Sequence, residues 1–229
     1  MSAAPVIGVL GGTFDPVHLG HLEMAGRSIA CMALEGLLLL PSSIPPHKSR
    51  PHLTPAEQRL EMLRLAIEEH PGLGISTLEL DRGGICYTID TLRQLSSGDD
   101  AIAPVFILGT DSLAEIRTWR AYREILREFD IAALDRPGNL LVDIAPRLPA
   151  EITGSLVIVP EGPRGPTLVR ELQPGRGGRI FHLPIEPNPV SSSRIRRLVA
   201  AGASIEALVP PAVAGYIQRN GLYLKEEPR

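Results

Sequence analysis

Five residues, Val6 to Leu10, form an apolar run bounded by Pro5 and a glycine pair, a pattern that predicts a buried parallel strand. From His18 to Leu34 the apolar positions Leu22, Ala25, Ile29 and Met32 recur at steps of three and four, the stripe of a helix lying on a core. Leu37 to Leu40 is a second short strand ended by Pro41, and proline-rich Ser42 to Pro55 predicts an irregular loop. Thr54 and Pro55 carry helix-start chemistry, a capping hydroxyl and then a proline at the first helical position, for a helix reaching about Glu69. Gly74 to Leu80 reads as extended, Tyr87 to Leu95 as a helix, and Pro104 to Leu108 as a buried strand closed by Gly109. Trp119 to Phe129 then reads as helix, Ile131 to Leu134 and Ile180 to Leu183 as strands, and Ser191 to Ala200 and Pro211 to Asn220 as helices. Strands alternating with helices predict an α/β fold, a doubly wound parallel sheet. The expected organisation is a single domain over residues 1–229 with a helical part from 191 to 229. Residues 160–179 interrupt the pattern: five Gly, four Pro and four Arg in twenty positions are the composition of a mobile surface loop.

Composition narrows the function classes. A fold of 229 residues buries roughly 70% of the surface its unfolded chain exposes, so a sizeable core is available. A net charge of −3 supplies no global basic field, so nucleic acid is not expected as the main partner. Cys31 and Cys86 have no metal-type spacing and imply no disulfide framework; Cys31 lies in an apolar helical stretch and reads as a small core residue. Met1 to Pro5 lacks the basic and apolar regions of a signal peptide, and no window approaches the ~18 apolar residues of a membrane span. A cytoplasmic protein with no membrane partner is expected, its oligomeric state open between monomer and homodimer.

The candidate chemistry starts at Gly11-Gly12-Thr13-Phe14-Asp15-Pro16-Val17-His18-Leu19-Gly20-His21-Leu22. Glycines at a strand exit let backbone approach a ligand closely. His18 and His21, three positions apart, share one face of the first helical turn, where free N–H groups and the helix dipole favour anions. An ordinary βα turn, a half-built zinc site or a solvated helix start are the competing readings, and no Cys or carboxylate partner supports the zinc site. A second stretch, Ser191-Ser192-Ser193-Arg194-Ile195-Arg196, opens a helix with capping serines; either it accepts an anion with help from Arg196, or it is a plain cap with arginines on a solvated face.

Together these stretches resemble the HxGH nucleotidyltransferase superfamily and, over the full twelve residues, its nicotinate-nucleotide adenylyltransferase branch. The resemblance implies a Rossmann-like nucleotidyltransferase fold with both motifs at the carboxyl ends of the strands. It implies that Gly11, Gly12, Thr13, Phe14, His18 and His21 bind ATP with Gly109 and Asp111. It also makes Ser191 to Ser193, Ile195 and Arg196 a triphosphate-binding signature like SSTxIR, with Ser193 in the usual threonine position. Pro45-Pro46-His47-Lys48 looks like the family's loop over the active site, Lys48 contacting phosphates; Tyr87 and Thr88 begin its YTxxT element beside the pyridine nucleotide. Gly109-Thr110-Asp111-Ser112, with Trp119, resembles its GxDS…W element, Asp111 meeting ribose hydroxyls and Trp119 stacking on the electron-poor pyridine. Arg136-Pro137-Gly138 matches a family turn whose arginine either pairs with substrate phosphate or only marks the turn. The catalytic set implied is His18, His21, Lys48 and Arg196, with Mg²⁺ carried by ATP. The implied reaction joins ATP and nicotinate mononucleotide. The alternatives are phosphopantetheine adenylyltransferase, whose chains are generally shorter and lack the Pro-Pro-His-Lys, Tyr-Thr and Trp elements, and a pyridine-nucleotide sensor without catalysis.

Overall fold

The apolar runs of the sequence become the middle of one sheet. The computed structural model describes residues 4–43, 53–153, 167–171, 178–183 and 188–224. Among these residues lie strands β1 (Val6–Gly12), β2 (Gly36–Pro41), β3 (Leu73–Ile75), β4 (Ala103–Gly109), β5 (Asp130–Leu134), β6 (Thr167–Glu171) and β7 (Arg179–Leu183). Their order across the sheet is β3-β2-β1-β4-β5-β7-β6. All pairs are parallel except β6 with β7, which is antiparallel at one edge. The helices are α1 (Leu19–Met32), α2 (Ala56–Ile67), α3 (Leu78–Arg82), α4 (Thr88–Leu95), α5 (Thr110–Ala114), α6 (Tyr122–Glu128), α7 (Leu141–Ile144), α8 (Ala150–Thr153), α9 (Ser192–Ala200) and α10 (Pro211–Arg219).

Side chains alternate across the strands and feed two cores. Leu10, Val105, Ile107, Ala132 and Leu134 face α1, α2, α9 and α10, meeting Met24, Met62, Leu63, Ile195 and Val213. Val9, Phe106, Leu108, Ile131 and Ala133 face the other way, packing with Ile89, Leu92, Leu113, Ile125 and Ile144. Each Val, Leu, Ile, Phe or Met among them contributes about 1.5–3 kcal/mol relative to its exposed state, and each alanine less. The sheet is wound outward from its centre, β1 to β2 and β3 on one side, β4 to β5 and β7 on the other. The strand order reverses between β1 and β4, whose Leu10 and Ile107 pair, so a crevice opens at their carboxyl ends.

Three sequence expectations are corrected. Gly74 to Leu80 is extended only as far as Ile75. Thr77 then accepts Asp81 N–H on its carbonyl at 2.8 Å and donates its hydroxyl to Asp81 Oδ2 at 2.7 Å, starting α3. The helix expected over Trp119 to Phe129 begins at Tyr122, because Trp119 ends a 3₁₀ turn (Ile116–Thr118) and Ala121 takes a left-handed φ of 53°. Within 160–179, expected as a mobile loop, Thr167–Glu171 forms β6: a β-favourable Thr-Leu-Val run between Gly/Pro clusters pairs with β7, with a register irregularity between Leu168 and Arg170. Residues 160–166 and 172–177 lie outside the described residues.

Candidate active site

Chain leaving β1 at Gly12 turns through Phe14, at φ 50°, and reaches His18, the extended N-cap of α1. An arginine from α2 pins this turn. Arg59, 1% exposed, donates to the carbonyls of Thr13 at 2.8 Å, Ser42 at 2.9 Å, Thr54 at 2.9 Å and Ser43 at 3.4 Å, tying the exits of β1 and β2 together. The second motif is tied to the same turn. Ser192 donates its hydroxyl to Pro16 O at 2.9 Å, and Arg196 donates to Asp15 O at 2.7 Å and Ser193 Oγ at 3.3 Å. Ser191 caps α9 by accepting Arg194 N–H at 3.3 Å. The starts of α1 and α9 are therefore held as one unit, the Leu19 N–H of α1 donating to Leu208 O at 3.0 Å and the His21 N–H to His18 O at 2.9 Å, while both helix dipoles present their positive ends to the crevice. Ile195, expected beside ATP, has its side chain wholly buried in the core.

The two histidines stack, ring centroids 3.7 Å apart, and Phe14 sits edge-on to His21 at 4.9 Å. Gly20 makes room for this pair, since a Cβ there would lie 3.1 Å from His18 Nδ1. His21 Nδ1 accepts the His18 backbone N–H at 3.3 Å, so a neutral His21 ring carries its proton on Nε2 and is a donor. Burial, and then the positive charge of Arg136, bring the His18 pKa down to about 3. Burial, then His18 and Arg136, hold His21 well below its ordinary value. Both rings are neutral near pH 7 and act as hydrogen-bond donors, while an arriving anion raises their affinity for protons. Because the unfolded chain protonates these histidines near pH ~6.5 and the folded chain does not, the stabilisation is complete above that pH and falls away as pH drops toward 3. We expect the urea midpoint to be lower at pH 5 than at pH 7.5, by on the order of a few kcal/mol in unfolding free energy, with His18→Phe flattening the slope.

At the exit of β4 the packing is equally tight. A Cβ on Gly109 would fall 2.3 Å from Asp111 Oδ1 and 2.8 Å from Arg136 Cγ, so any larger residue would displace both side chains. Thr110, fully buried at the start of α5, donates its hydroxyl to Asn139 O and accepts Arg136 N–H at 3.2 Å, holding the Arg136-Pro137-Gly138-Asn139 turn against the site. Arg136 Nε stands 4.0 Å from Asp111 Oδ1.

These elements line two communicating cavities. The larger, about 310 Å³, is walled by Phe14, Asp15, His18, His21, Gly109, Asp111, Arg136 and Ser191 to Ser193. The smaller, about 210 Å³, is mainly apolar and holds Leu40, Tyr87, Thr88, Leu92 and Ile125, with Glu79, Cys86, Thr91 and Arg120. Gly11, Gly12, Thr13, Phe106, Ser112 and Trp119 border both, and Phe106 meets Trp119 edge-on at 5.8 Å. Every site residue expected from the sequence therefore converges on this crevice or just beneath it, except that Lys48 lies outside the described residues. Asp15, Arg59, Glu79, Thr110 and Arg120 are not singled out by the sequence, although Asp15 and Thr110 stand inside the motifs quoted above.

Comparison with known proteins gives the same answer. The cytidylyltransferase-like family model matches residues 9–198. A probable nicotinate-nucleotide adenylyltransferase of Symbiobacterium thermophilum is 42% identical over 221 residues, covering 96% of each chain. Another, from Bordetella petrii, is 40% identical over 95% of this chain and 98% of its own. This chain belongs to the nicotinate-nucleotide adenylyltransferase family. Among solved structures, the fold is similar to Plasmodium falciparum nicotinic acid mononucleotide adenylyltransferase complexed with NaAD, at TM-score 0.72 and 17% identity over 97% of this chain and 98% of that one. In this chain the glycine turn and the paired histidines sit where the strand order reverses. No helix among the described residues is long and apolar enough to cross a membrane. No group of three or more His, Cys, Asp and Glu side chains gathers among the described residues of this adenylyltransferase into a metal cage. The carboxylates of the larger cavity are Asp15, whose Oδ2 is buried without a hydrogen-bond partner, and Asp111. Both are hard oxygen donors.

Proposed function

We propose that the protein transfers the adenylyl group of ATP to nicotinate mononucleotide, giving deamido-NAD and pyrophosphate, as a cytoplasmic step of NAD biosynthesis. One observation carries this reading: a phosphate-seeking cavity and an aromatic cavity share a wall at Gly11 to Thr13 and Trp119, so two substrates can meet there. In the reaction a phosphate oxygen of the mononucleotide forms a bond to the ATP α-phosphorus as the bond from that phosphorus to the bridging oxygen breaks, and pyrophosphate leaves. A phosphate monoester has its second pKa near ~6, so the nucleophile is ionised at neutral pH and the chain need supply no strong base. Its tasks are alignment and neutralisation of charge. His18 and His21 donate to the phosphates, the positive dipole ends of α1 and α9 favour the same charge, and Arg136 adds positive charge beside Asp111. Arg196 keeps the two motifs in register, and Lys48 is a further candidate cation. Mg²⁺ carried by ATP would supply additional charge neutralisation, with Asp15 and Asp111 the carboxylates that would hold it. Trp119 offers its face to the pyridine ring and Asp111 its carboxylate to ribose hydroxyls.

Pyrophosphate release is measured with Mg-ATP and nicotinate mononucleotide, nicotinamide mononucleotide or phosphopantetheine in parallel. Turnover is expected with the acid well above the amide. Turnover with phosphopantetheine alone overturns the reading, and binding of pyridine nucleotide without pyrophosphate release replaces it with a sensor.

A further inference from the structure

We propose that the Arg120 side chain selects a carboxylated pyridine over its amide in the smaller cavity; this rests on the adenylyltransferase reading above. Among the described residues lining that cavity, Arg120 is the only cation, set among Leu40, Tyr87, Leu92, Phe106 and Trp119. Arg120 and Trp119, the aromatic face available to the ring, border the same cavity, so a pyridine stacked on Trp119 would share that space with the guanidinium. Its guanidinium is held over the Tyr87 ring, 4.5 Å from the centroid, and Nη1 stands 3.5 Å from Asp90 Oδ2. Those two contacts orient the group while making small use of a planar fork that carries five donors. Among the described lining residues the one acid is Glu79, 7% exposed, whose Oε1 accepts the Thr91 hydroxyl at 3.0 Å. Burial pushes the Glu79 carboxyl up, which lessens its opposition to an anionic ligand.

A carboxylate answers such a fork with two acceptor oxygens and a full negative charge, and the apolar walls strengthen that attraction once water leaves. An amide has one acceptor, no charge, and an NH₂ group whose hydrogens face guanidinium hydrogens. Selection therefore arises from attraction to the acid and from donor–donor conflict with the amide.

The test compares kcat/KM for nicotinate and nicotinamide mononucleotides in the wild type, Arg120→Gln and Arg120→Lys, each checked for an unaltered melting transition. In Arg120→Gln the acid-to-amide ratio is expected to fall by roughly 10- to 100-fold, mostly through the KM of the acid. Arg120→Lys restores part of that ratio, because charge is regained without the fork. An unchanged ratio in Arg120→Gln overturns the proposal and transfers selection to backbone donors. A parallel fall with both pyridines overturns it too, by making Arg120 structural. If the wild type uses neither pyridine, the adenylyltransferase reading fails, and this proposal fails with it.

Discussion

His21→Ala lowers kcat by about 10²- to 10³-fold while changing the KM for ATP little, the effect expected on losing one preorganised donor to transition-state charge. The preorganisation is visible in the ring's surroundings. The His18 backbone N–H occupies Nδ1 at 3.3 Å, the His18 ring stacks at 3.7 Å, and Phe14 abuts one edge at 4.9 Å. These contacts fix both the orientation of His21 and the nitrogen that bears its proton. In the proposed reaction the ground-state attraction for ATP would be spread over Gly11 to Thr13 and Ser191 to Ser193, which line the same cavity, so removing one imidazole would leave most of it. Single-turnover and steady-state pyrophosphate release distinguish the two quantities. A kcat within threefold of wild type removes His21 from the mechanism.

Arg59→Met destabilises the protein by about 3–5 kcal/mol, because it strips a buried cation from four carbonyl oxygens and leaves them without their donor. For a chain of this size that corresponds to a fall of about 10 °C in Tm, read by calorimetry or circular dichroism. Methionine matches the length of the aliphatic stem, so the cavity left behind is small and the loss reports the hydrogen bonds. The variant also loosens Thr13 and Ser42, both of which line the smaller cavity, so the KM of the pyridine substrate rises in the fraction that stays folded. A Tm within 2 °C of wild type would show that the four bonds do not hold the turn.

The contrast between these residues explains what was legible in the sequence. His18 and His21 act through local geometry: a strand, a glycine turn and a helix start within twelve residues leave little else for the chain to do. β1, β2, β4 and β5 were equally plain, since each is an uninterrupted apolar run buried on both faces. Arg59 acts through carbonyls up to 46 positions away, and an arginine within an amphipathic helix looks like part of its solvated face. Thr110 is similar, its partner Asn139 lying 29 positions on. Helices α3, α5 and α7, of 5, 5 and 4 residues, are too short to show a 3.6-residue period. β6 was hidden by the glycines and prolines around it, whose composition outweighed a five-residue strand.

The larger cavity also depends on the far end of the chain. Tyr223 donates its hydroxyl to Asp15 Oδ1 at 2.7 Å across 208 positions, and Arg196 holds the carbonyl of the same Asp15. Asp15 is 1% exposed, so without that hydroxyl its carboxylate would be enclosed with one partner fewer. Synthesis on the ribosome therefore makes the first motif early and leaves it unfinished until Tyr223 has cleared the exit tunnel. A product that stops short of Tyr223 lacks that donor, so the enclosed Asp15 carboxylate of its first motif is left one partner short.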